Sequence, residues 1–196
     1  MAGVDPFNLH PDNKLSPSKG ALLIAEPFMA DPYFQRTVVL MCEHDTTGSF
    51  GFILNKFVDV PLRELIEDWE NNDYRVGLGG PVQASSLYFI HTLGDRIAGS
   101  QQVAKGLYMG GDFDAIKDGI ENGIFSKDSV RFFVGYSGWS ESQLEEELAQ
   151  KSWYVCPIKD LDLMNTADDQ LWKMALQSMG SAFAPLSHFP TDPKWN

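Results

Sequence analysis

Two nucleophilic residues stand in sequence contexts that suggest catalysis. Ser137 lies in the run GYSGW over residues 135–139, one position short of the G-x-S-x-G turn that presents the nucleophile of α/β-hydrolases. Trp139 takes the place of the last glycine, and a bulky indole there crowds the strand-to-helix packing that this turn needs. The mismatch favours an ordinary turn serine with Trp139 in the core. A hydrolase that uses Ser137 stays as the alternative.

Cys42 and His44 are two residues apart on a predicted strand, which places both side chains on one face. A neighbouring histidine can activate a thiol, but such a dyad also needs a third group that orients the histidine. The sequence identifies no third group. We therefore expect Cys42 to behave as a small buried hydrophobic residue, and a hydrolase that uses Cys42 is the other form of the same alternative.

Metal and phosphate sites are not indicated by the spacing of the candidate ligands. Cys42, His44 and His91 are scattered and form no C-x-x-C or H-E-x-x-H pattern. The run Gly79-Gly80-Pro81 lacks the lysine and hydroxyl residue that complete a phosphate-binding loop, so we interpret it as a turn with positive φ. We expect no metal and no cofactor.

Short β-rich runs bounded by turn residues predict most of the strands. The early runs are 20–25, 37–43 and 50–54, and the polar residues 45–49 predict a hairpin between the last two. Later runs are 86–92, 130–135 and 152–156, with further short strands up to residue 108. Asn55 ends the third run, where it can close an Asx-turn or present its amide to a cleft; we expect the turn.

Helices are predicted from apolar spacing and capping residues. A stripe at Leu62, Leu65, Ile66 and Trp69 predicts a helix that begins at Pro61. Asp112 is a good N-cap for a second helix. The pair Ser140 and Gln143 forms a capping box for a helix over 141–150, after a turn at 136–139. Thr166 with Asp169 caps a last helix that ends at Gly180 and turns a stripe of Leu171, Trp172, Ala175 and Met179 towards the core. Strands come early and helices later, which predicts an α+β fold with a mixed or antiparallel sheet.

The chain is acidic, with 15 Lys and Arg against 27 Asp and Glu and a formal net charge of −12. Affinity for duplex DNA comes mainly from basic residues that neutralise phosphates, so direct DNA binding is disfavoured. The apolar runs are far shorter than the roughly 20 residues of a membrane helix, and the N-terminus does not resemble a signal peptide. We expect a cytoplasmic protein with reduced Cys42 and Cys156.

Seven short blocks follow one another along residues 20 to 154. They are Gly20–Ala25, Pro27–Val39, Glu43–His44, Gly48–Asn55, Gly79–Val82, Tyr88–His91, and Phe133–Leu148 with Trp153. In this order they together resemble the AlgH/YqgE family of uncharacterised, mostly bacterial proteins. Two positions depart from the family pattern, with Phe57 in place of a proline and Ser142 in place of a glycine.

The resemblance implies a complex α+β fold in which a small β-barrel-like sheet is flanked by helices. It also brings the name of a transcriptional regulator, which describes no chemical activity. Because the acidic charge argues against operator binding, any regulation would act through a protein partner or a small ligand. We expect a flexible arm over residues 1–18, a single AlgH-like domain over 19–187 and an irregular tail over 188–196.

We expect a binding module rather than an enzyme, with a polar cleft for a small ligand or a protein partner. Strand ends gather at one rim of a sheet, where the side chains of His44, Asn55, His91 and Trp139 can meet to form a ligand site. The alternative is that His44 and His91 hydrogen-bond to main-chain carbonyls while Trp139 fills the core. A structural subunit of a larger assembly, marked by an extended apolar surface, is a third possibility. Other motif residues with a less certain role in the site are Arg36, Gly79, Gly80, Ser137 and Gln143.

Overall fold

The computed structural model describes residues 11–66, 69, 74–159, 161–165 and 168–190. Among these residues it contains nine strands, three α-helices and short 3-10 turns. The strands are β1 (Ala21–Ala25), β2 (Val38–Asp45), β3 (Gly48–Ile53), β4 (Val76–Leu78), β5 (Val82–His91), β6 (Gln101–Ala104), β7 (Leu107–Met109), β8 (Val130–Ser140) and β9 (Trp153–Pro157). The helices are α1 (Phe113–Glu121), α2 (Gln143–Ala149) and α3 (Asp168–Ser178).

All nine strands belong to one curled sheet in the order β6-β7-β5-β8-β3-β2-β1-β9, with β4 beside β8. Neighbouring strands are antiparallel except for the pair β4 and β8, which is parallel. The sheet curls into a half-barrel. The predicted α+β fold with a mixed, mainly antiparallel sheet is confirmed, and so is the hairpin of β2 and β3.

The inner face of the half-barrel holds the largest core. Val103 and Leu107 from one end of the sheet share this core with Leu22 and Cys156 from the other end, which requires the sheet to curl. Helix α3 covers the open side, and its Trp172 is buried and donates a hydrogen bond from Nε1 to the carbonyl of Ala25 at 2.9 Å. The buried stripe predicted for the last helix therefore fixes it to the sheet.

The outer face carries two smaller cores, each under one helix. Leu144 of α2 packs with Leu23, Met41 and Trp139, while Ile116 of α1 packs in a separate cluster under its own part of the sheet. The predicted N-cap of α1 is confirmed, because Asp112 Oδ1 accepts a hydrogen bond from the Ala115 amide at 3.1 Å. Within the described residues, none of the helices combines the length and apolarity that crossing a bilayer requires.

Strand β8 does not end at Gly135, as the sequence had suggested, but continues to Ser140. Gly135 adopts φ +66, and a Cβ on it would lie 2.5 Å from the carbonyl oxygen of Gly80. The pairing of β5 with β8 shifts register at the same place. The predicted turn over 136–139 is thus wrong, because the glycine accommodates an irregularity inside a long strand rather than a chain reversal.

The start of α2 is only partly as predicted. Gln143 Oε1 accepts hydrogen bonds from the amide and from the hydroxyl of Ser140, at 3.0 and 3.2 Å. One half of the expected capping box is therefore present, but the Ser140 hydroxyl does not cap the helix. Ser142 precedes the helix with φ +63, a left-handed conformation that favours glycine. This is the position at which the family pattern has glycine.

The helix predicted from Pro61 is replaced by a 3-10 turn over Leu62–Glu64. Leu62 and Trp69 are buried, but Leu65 is 39% exposed, so the predicted stripe is not continuous. Starting a helix is costly, and apolar spacing favours it only where each apolar side chain finds a core. Residues 67, 68 and 70–73 lie outside the described part of the chain, as do Thr166 and the side chain of Asp169 at the predicted last cap.

Part of the predicted N-terminal arm contacts the sheet. The amide side chain of Asn13 pairs with the outer edge of β9, donating from Nδ2 to the Val155 carbonyl and accepting from the Val155 amide, both at 3.0 Å. Residues 1–10 lie outside the described part. The flexibility of residues 1–18, the domain over 19–187 and the irregular tail over 188–196 stay predictions, although Ala184–His188 forms a 3-10 turn with buried Leu186.

The Asn55 side chain does not close the expected Asx-turn but holds the start of β2 from beyond the end of β3. Its Oδ1 accepts from the Val38 amide and its Nδ2 donates to the Arg36 carbonyl, both at 2.8 Å. We expect Asn55→Ala to lower the free energy of unfolding by about 1–3 kcal/mol, because both main-chain groups lose their partner. Urea unfolding checks this. The control Asn122→Ala at an exposed site should stay within about 0.5 kcal/mol, and equal effects of the two variants would contradict the assignment.

Candidate functional site

His44 and Trp139 lie at the same rim of the sheet, the rim at which the turn between β2 and β3 lies. His44 and Trp139 are both register partners of Ser49, one on each side of it. The His44 ring is held by Ser49 Oγ, 2.7 Å from Nδ1, and Nε2 lies 3.9 Å from a carboxylate oxygen of Glu145 on α2. Both predicted residues therefore face α2 on the outer side of the sheet.

His91 and Asn55 lie towards the opposite rim of the sheet, at the other ends of the strands. His91 is the register partner of Val130, the first residue of β8, nine residues or about 30 Å of extended strand from Trp139. Near Asn55, the carbonyl of Leu54 accepts a hydrogen bond from the Arg131 side chain at 2.6 Å. The predicted convergence of the four side chains is therefore wrong, because two of them lie at one rim of the sheet and two lie towards the opposite rim. Ligand binding by any one of the four residues stays a prediction.

His91 is fully buried and has the hydrogen bonds of a neutral imidazole. Nδ1 accepts from the Leu93 amide at 3.2 Å, so the ring proton belongs on Nε2, which lies 3.1 Å from the Gly110 carbonyl. Burial lowers the pKa of His91 below its ordinary value, with the Gly110 contact acting in the opposite sense. This environment fits a structural histidine whose hydrogen bonds are satisfied.

The indole of Trp139 belongs to a hydrogen-bonded cluster centred on Glu147 of α2. Glu147 Oε2 accepts from Trp139 Nε1 at 2.9 Å and from Trp153 Nε1 at 2.7 Å, and Oε1 accepts from Gln143 Nε2 at 3.0 Å. Phe34 contacts both indole rings, with centroids 6.2 Å from Trp139 and 5.4 Å from Trp153. The cluster fixes α2 to the sheet and uses the polar atoms of Trp139 and Gln143 internally.

Neither of the two candidate nucleophiles, Ser137 and Cys42, has the surroundings of an activated one. Ser137 is fully buried, and its hydroxyl donates to the Gly79 carbonyl at 3.0 Å. Cys42 is fully buried on the inner face, its Sγ lies 3.7 Å from the Leu40 carbonyl, and burial raises the pKa of the thiol strongly. His44 faces the opposite side of the sheet. The geometry therefore gives no support to hydrolysis by either residue.

The remaining motif residues hold the structure together at two places. The Arg36 guanidinium stacks on the Trp172 ring, 4.7 Å from its centroid, and donates to the Phe189 carbonyl. Burial lowers its pKa. Gly79 and Gly80 pass so close to β8 that a Cβ on either would lie 2.2 to 2.3 Å from main-chain atoms of the strand. Close approach, and not a phosphate-binding turn, explains this glycine pair.

A polar cleft of about 400 Å³ opens beside the β2–β3 turn. We call it the hairpin cleft. Glu43 and Phe50 are register partners, so their side chains share one face, and Gly138 of β8 is the next partner in line. Asp45 lies two residues after Glu43 on the same side. The lining residues used below are Glu43, Asp45, Thr47, Gly48, Phe50 and Tyr136.

The hairpin cleft combines negative charge with aromatic rings. Thr47 donates to Asp45 Oδ1 from its amide at 2.7 Å and from its hydroxyl at 2.6 Å, and these bonds lower the pKa of Asp45. Phe50 and Tyr136 pack edge to face with centroids 5.2 Å apart. Carboxylates beside aromatic rings are the groups that bind an organic cation. Within the described residues, no group of three or more His, Cys, Asp or Glu is placed to hold a metal ion.

Sequence reasoning missed Glu43 and Asp45 because it looked for nucleophiles and imidazoles. The signal was available, since two acidic residues two apart near the end of a strand lie on the same face. A larger cavity of about 580 Å³ lies elsewhere, between the two ends of the curled sheet. The hairpin cleft is the better candidate for a function shared by proteins that contain the seven sequence blocks. Four of these blocks line it, through Glu43, Gly48, Val82, and Gly138 with its neighbours.

Comparison with known proteins identifies the family. The family model described as DUF179, AlgH-like, matches residues 22–184. The chain belongs to the AlgH-like family. It is 40% identical to a UPF0301 protein of Cytophaga hutchinsonii, covering 91% of this chain and 99% of the relative. A UPF0301 protein of Bacteroides thetaiotaomicron is 39% identical, over 98% of this chain and 97% of that one.

Solved structures of similar fold support the same assignment. The solution structure of the AlgH protein from Pseudomonas aeruginosa is 27% identical, with a TM-score of 0.69 over 91% of this chain and 98% of the other. A crystal structure of a Corynebacterium diphtheriae protein has a TM-score of 0.74 over 91% of this chain and 95% of that chain. At 22% identity, the latter shows the fold alone. The resemblance drawn from the seven blocks is therefore confirmed.

In this AlgH-like chain, Glu147 is expected to anchor α2. Glu147→Ala leaves two buried indole N–H groups without an acceptor, which should cost about 2–4 kcal/mol of unfolding free energy. Glu146→Ala, at an exposed position of the same helix, should change the unfolding free energy by no more than about 0.5 kcal/mol. Urea unfolding followed by tryptophan fluorescence compares the two. A Glu147 variant as stable as the Glu146 variant would show that the cluster does not anchor the helix.

His91 is expected to make the AlgH-like fold less stable in mild acid. Its pKa in the folded state lies below the ordinary 6.5, so the unfolded chain takes up the proton first as the pH falls. Its contribution to stability is thus complete above about pH 6.5 and is lost as the pH falls towards the folded pKa. His91→Asn keeps an acceptor near the Leu93 amide and should show a flatter stability profile between pH 7 and 5. Parallel profiles would refute the assignment.

Proposed function

We propose that this AlgH-like protein is a binding module that recognises a cationic side chain, Lys or Arg, of a protein partner in the hairpin cleft. The observation that supports this proposal is the placement of Glu43 and Asp45 on the same face as Phe50 and Tyr136. The carboxylates attract the charge, and the rings contact the apolar part of the side chain and the face of a guanidinium. A basic segment is therefore the chemistry that fits.

The charge of the whole chain supports a basic partner. With a formal net charge of −12, the protein repels nucleic acid and attracts positively charged proteins over long range, which raises the rate of encounter. A role in transcription, if the family name reflects one, would in this proposal pass through such a partner. We place this interaction in the cytoplasm, the compartment expected from the sequence.

The hydrogen bonds of the hairpin cleft suit binding more than turnover. Asp45 is held by Thr47 in an Asx-turn, so its carboxylate is fixed in position before a ligand arrives. A fixed group loses less conformational freedom when it binds. The hydroxyl of Ser137 and the thiol of Cys42 are both buried, and neither is needed by this function.

The test is a titration with N-acetyl-arginine amide, with N-acetyl-glutamine amide as the uncharged comparison. We expect shifts of the Gly48 and Gly138 amide resonances with the arginine compound alone. The double variant Glu43→Gln and Asp45→Asn should weaken binding by about two- to thirtyfold, because two exposed ion pairs of about 0.2–1 kcal/mol each are lost. Asn at position 45 can keep the turn, so the variant tests charge and not folding.

A matched control removes acidic charge from another surface. Asp114→Asn with Glu121→Gln changes two exposed acidic residues on α1 and should leave arginine binding within about twofold, since long-range effects are screened at physiological salt. If the arginine compound shifts no resonance at the cleft, or if both double variants bind it equally, cation recognition in the hairpin cleft is excluded.

A further inference from the structure

The two ends of the curled sheet border a second cleft of about 580 Å³ that is open to solvent, which we call the seam cleft. Ala21 of β1 and the preceding Gly20 line the seam cleft from one end of the sheet, and the β6–β7 hairpin lines it from the other end. The ends approach closely, since a Cβ on Gly20 would lie 2.8 Å from the carbonyl oxygen of Val103. The chain after β9 closes a third side with Leu161 and Met164.

The walls of the seam cleft are mainly apolar, and two lysines stand among them. Leu107 and Leu163 line the cavity and are themselves buried in the inner core. Lys19 and Lys105 line it from opposite ends of the sheet, and both are exposed. Lysine covers apolar surface with its stem while its ammonium group stays near water, so the two charges belong at the rim.

One carboxylate also borders the seam cleft, but it is engaged in its own turn. Asp162 accepts hydrogen bonds from the amides of Met164 and Asn165 and from the Asn165 side chain, at 3.0 to 3.3 Å. These hydrogen bonds hold the Asp162 carboxylate in its turn and leave its negative charge in place. The lining therefore carries one more positive than negative charge, in a chain whose overall charge is −12. This local excess of positive charge contrasts with the acidic hairpin cleft.

We propose that the seam cleft is a binding site for a small amphipathic anion, a carboxylate with an unbranched apolar chain. The apolar chain would contact Leu107, Leu161 and Met164, and the carboxylate would lie between the ammonium groups of Lys19 and Lys105. The volume is within the roughly 300–1,000 Å³ of small-molecule sites, which are mostly apolar with a few polar groups that fix orientation. This site is separate from the hairpin cleft and does not depend on the function proposed there.

The experiment is calorimetric and NMR titration of the full-length protein with decanoate, with decan-1-ol as the uncharged comparison. We expect saturable binding of one decanoate, shifts of the Gly20 and Gly106 amide resonances, and about tenfold weaker binding of the alcohol. Lys19→Gln with Lys105→Gln should weaken decanoate binding by about the same factor and leave decan-1-ol unchanged. The control Arg63→Gln with Lys117→Gln removes two positive charges elsewhere and should have no effect.

A second variant tests the location of the site without touching the charges. Thr92 is exposed and lines the cleft, so Thr92→Trp should fill the opening and abolish binding of both compounds while the melting temperature stays unchanged. Equal affinity for decanoate and decan-1-ol, unaltered binding in the lysine variant, or shifts confined to other residues would each overturn the proposal. None of these outcomes bears on the hairpin cleft, which is tested by its own variants.

Discussion

The sheet depends on one close approach, that of the main chain at Gly79 and Gly80 to strand β8. The Gly79 amide donates to the Val134 carbonyl and its carbonyl accepts from the Ile53 amide, both at 2.9 Å, so this one residue connects β3 to β8. The buried hydroxyl of Ser137 donates to the same carbonyl. No side chain fits at this crossing, because main-chain atoms of β8 already occupy the space of a Cβ. Since β8 also pairs with β4 and β5, both halves of the curled sheet meet at this point.

Strand alternation then decides which side chains can act together. Beside the turn, Glu43 and Asp45 face the hairpin cleft, whereas His44, between them, faces α2 and contacts Glu145. The register of β2 against β3 shifts between Met41 and Glu43, and such a bulge changes the face to which the following residues point. One irregularity in one strand therefore brings the carboxylates to the inner side of the sheet and leaves the imidazole on the outer side.

Features set by local chemistry were predictable from the sequence. The hairpin of β2 and β3, the N-cap at Asp112 and the buried stripe of the last helix all follow from spacing and from the hydrogen bonds of a few neighbouring residues. The continuation of β8 was not predictable in this way, because a glycine at position 135 is equally compatible with a turn and with an irregularity inside a strand. Only its nonlocal neighbour Gly80 decides between the two.

The candidate site shows the same division. Sequence alone placed His44 and His91 at strand ends, but strand order, which depends on nonlocal pairing, puts those ends far apart. The family could be recognised from seven short blocks, because each is a local pattern. The meeting of four of these blocks at the hairpin cleft could not be predicted, because it requires β5 to cross back beside β8 at Val82 and Tyr136.

The two hydrogen bonds between the Asn13 side chain and the Val155 main chain affect how the outer edge of β9 meets other molecules in concentrated solution. An unpaired outer strand offers its amides and carbonyls to any other chain, and natural proteins block such edges to avoid association into fibres. One asparagine amide satisfies both outward groups of Val155, and Pro157, the last residue of β9, has no amide hydrogen to offer. The segment before β1 therefore covers part of this edge, and a chain shortened beyond Asn13 would expose the main-chain groups of Val155 without losing any strand of the sheet.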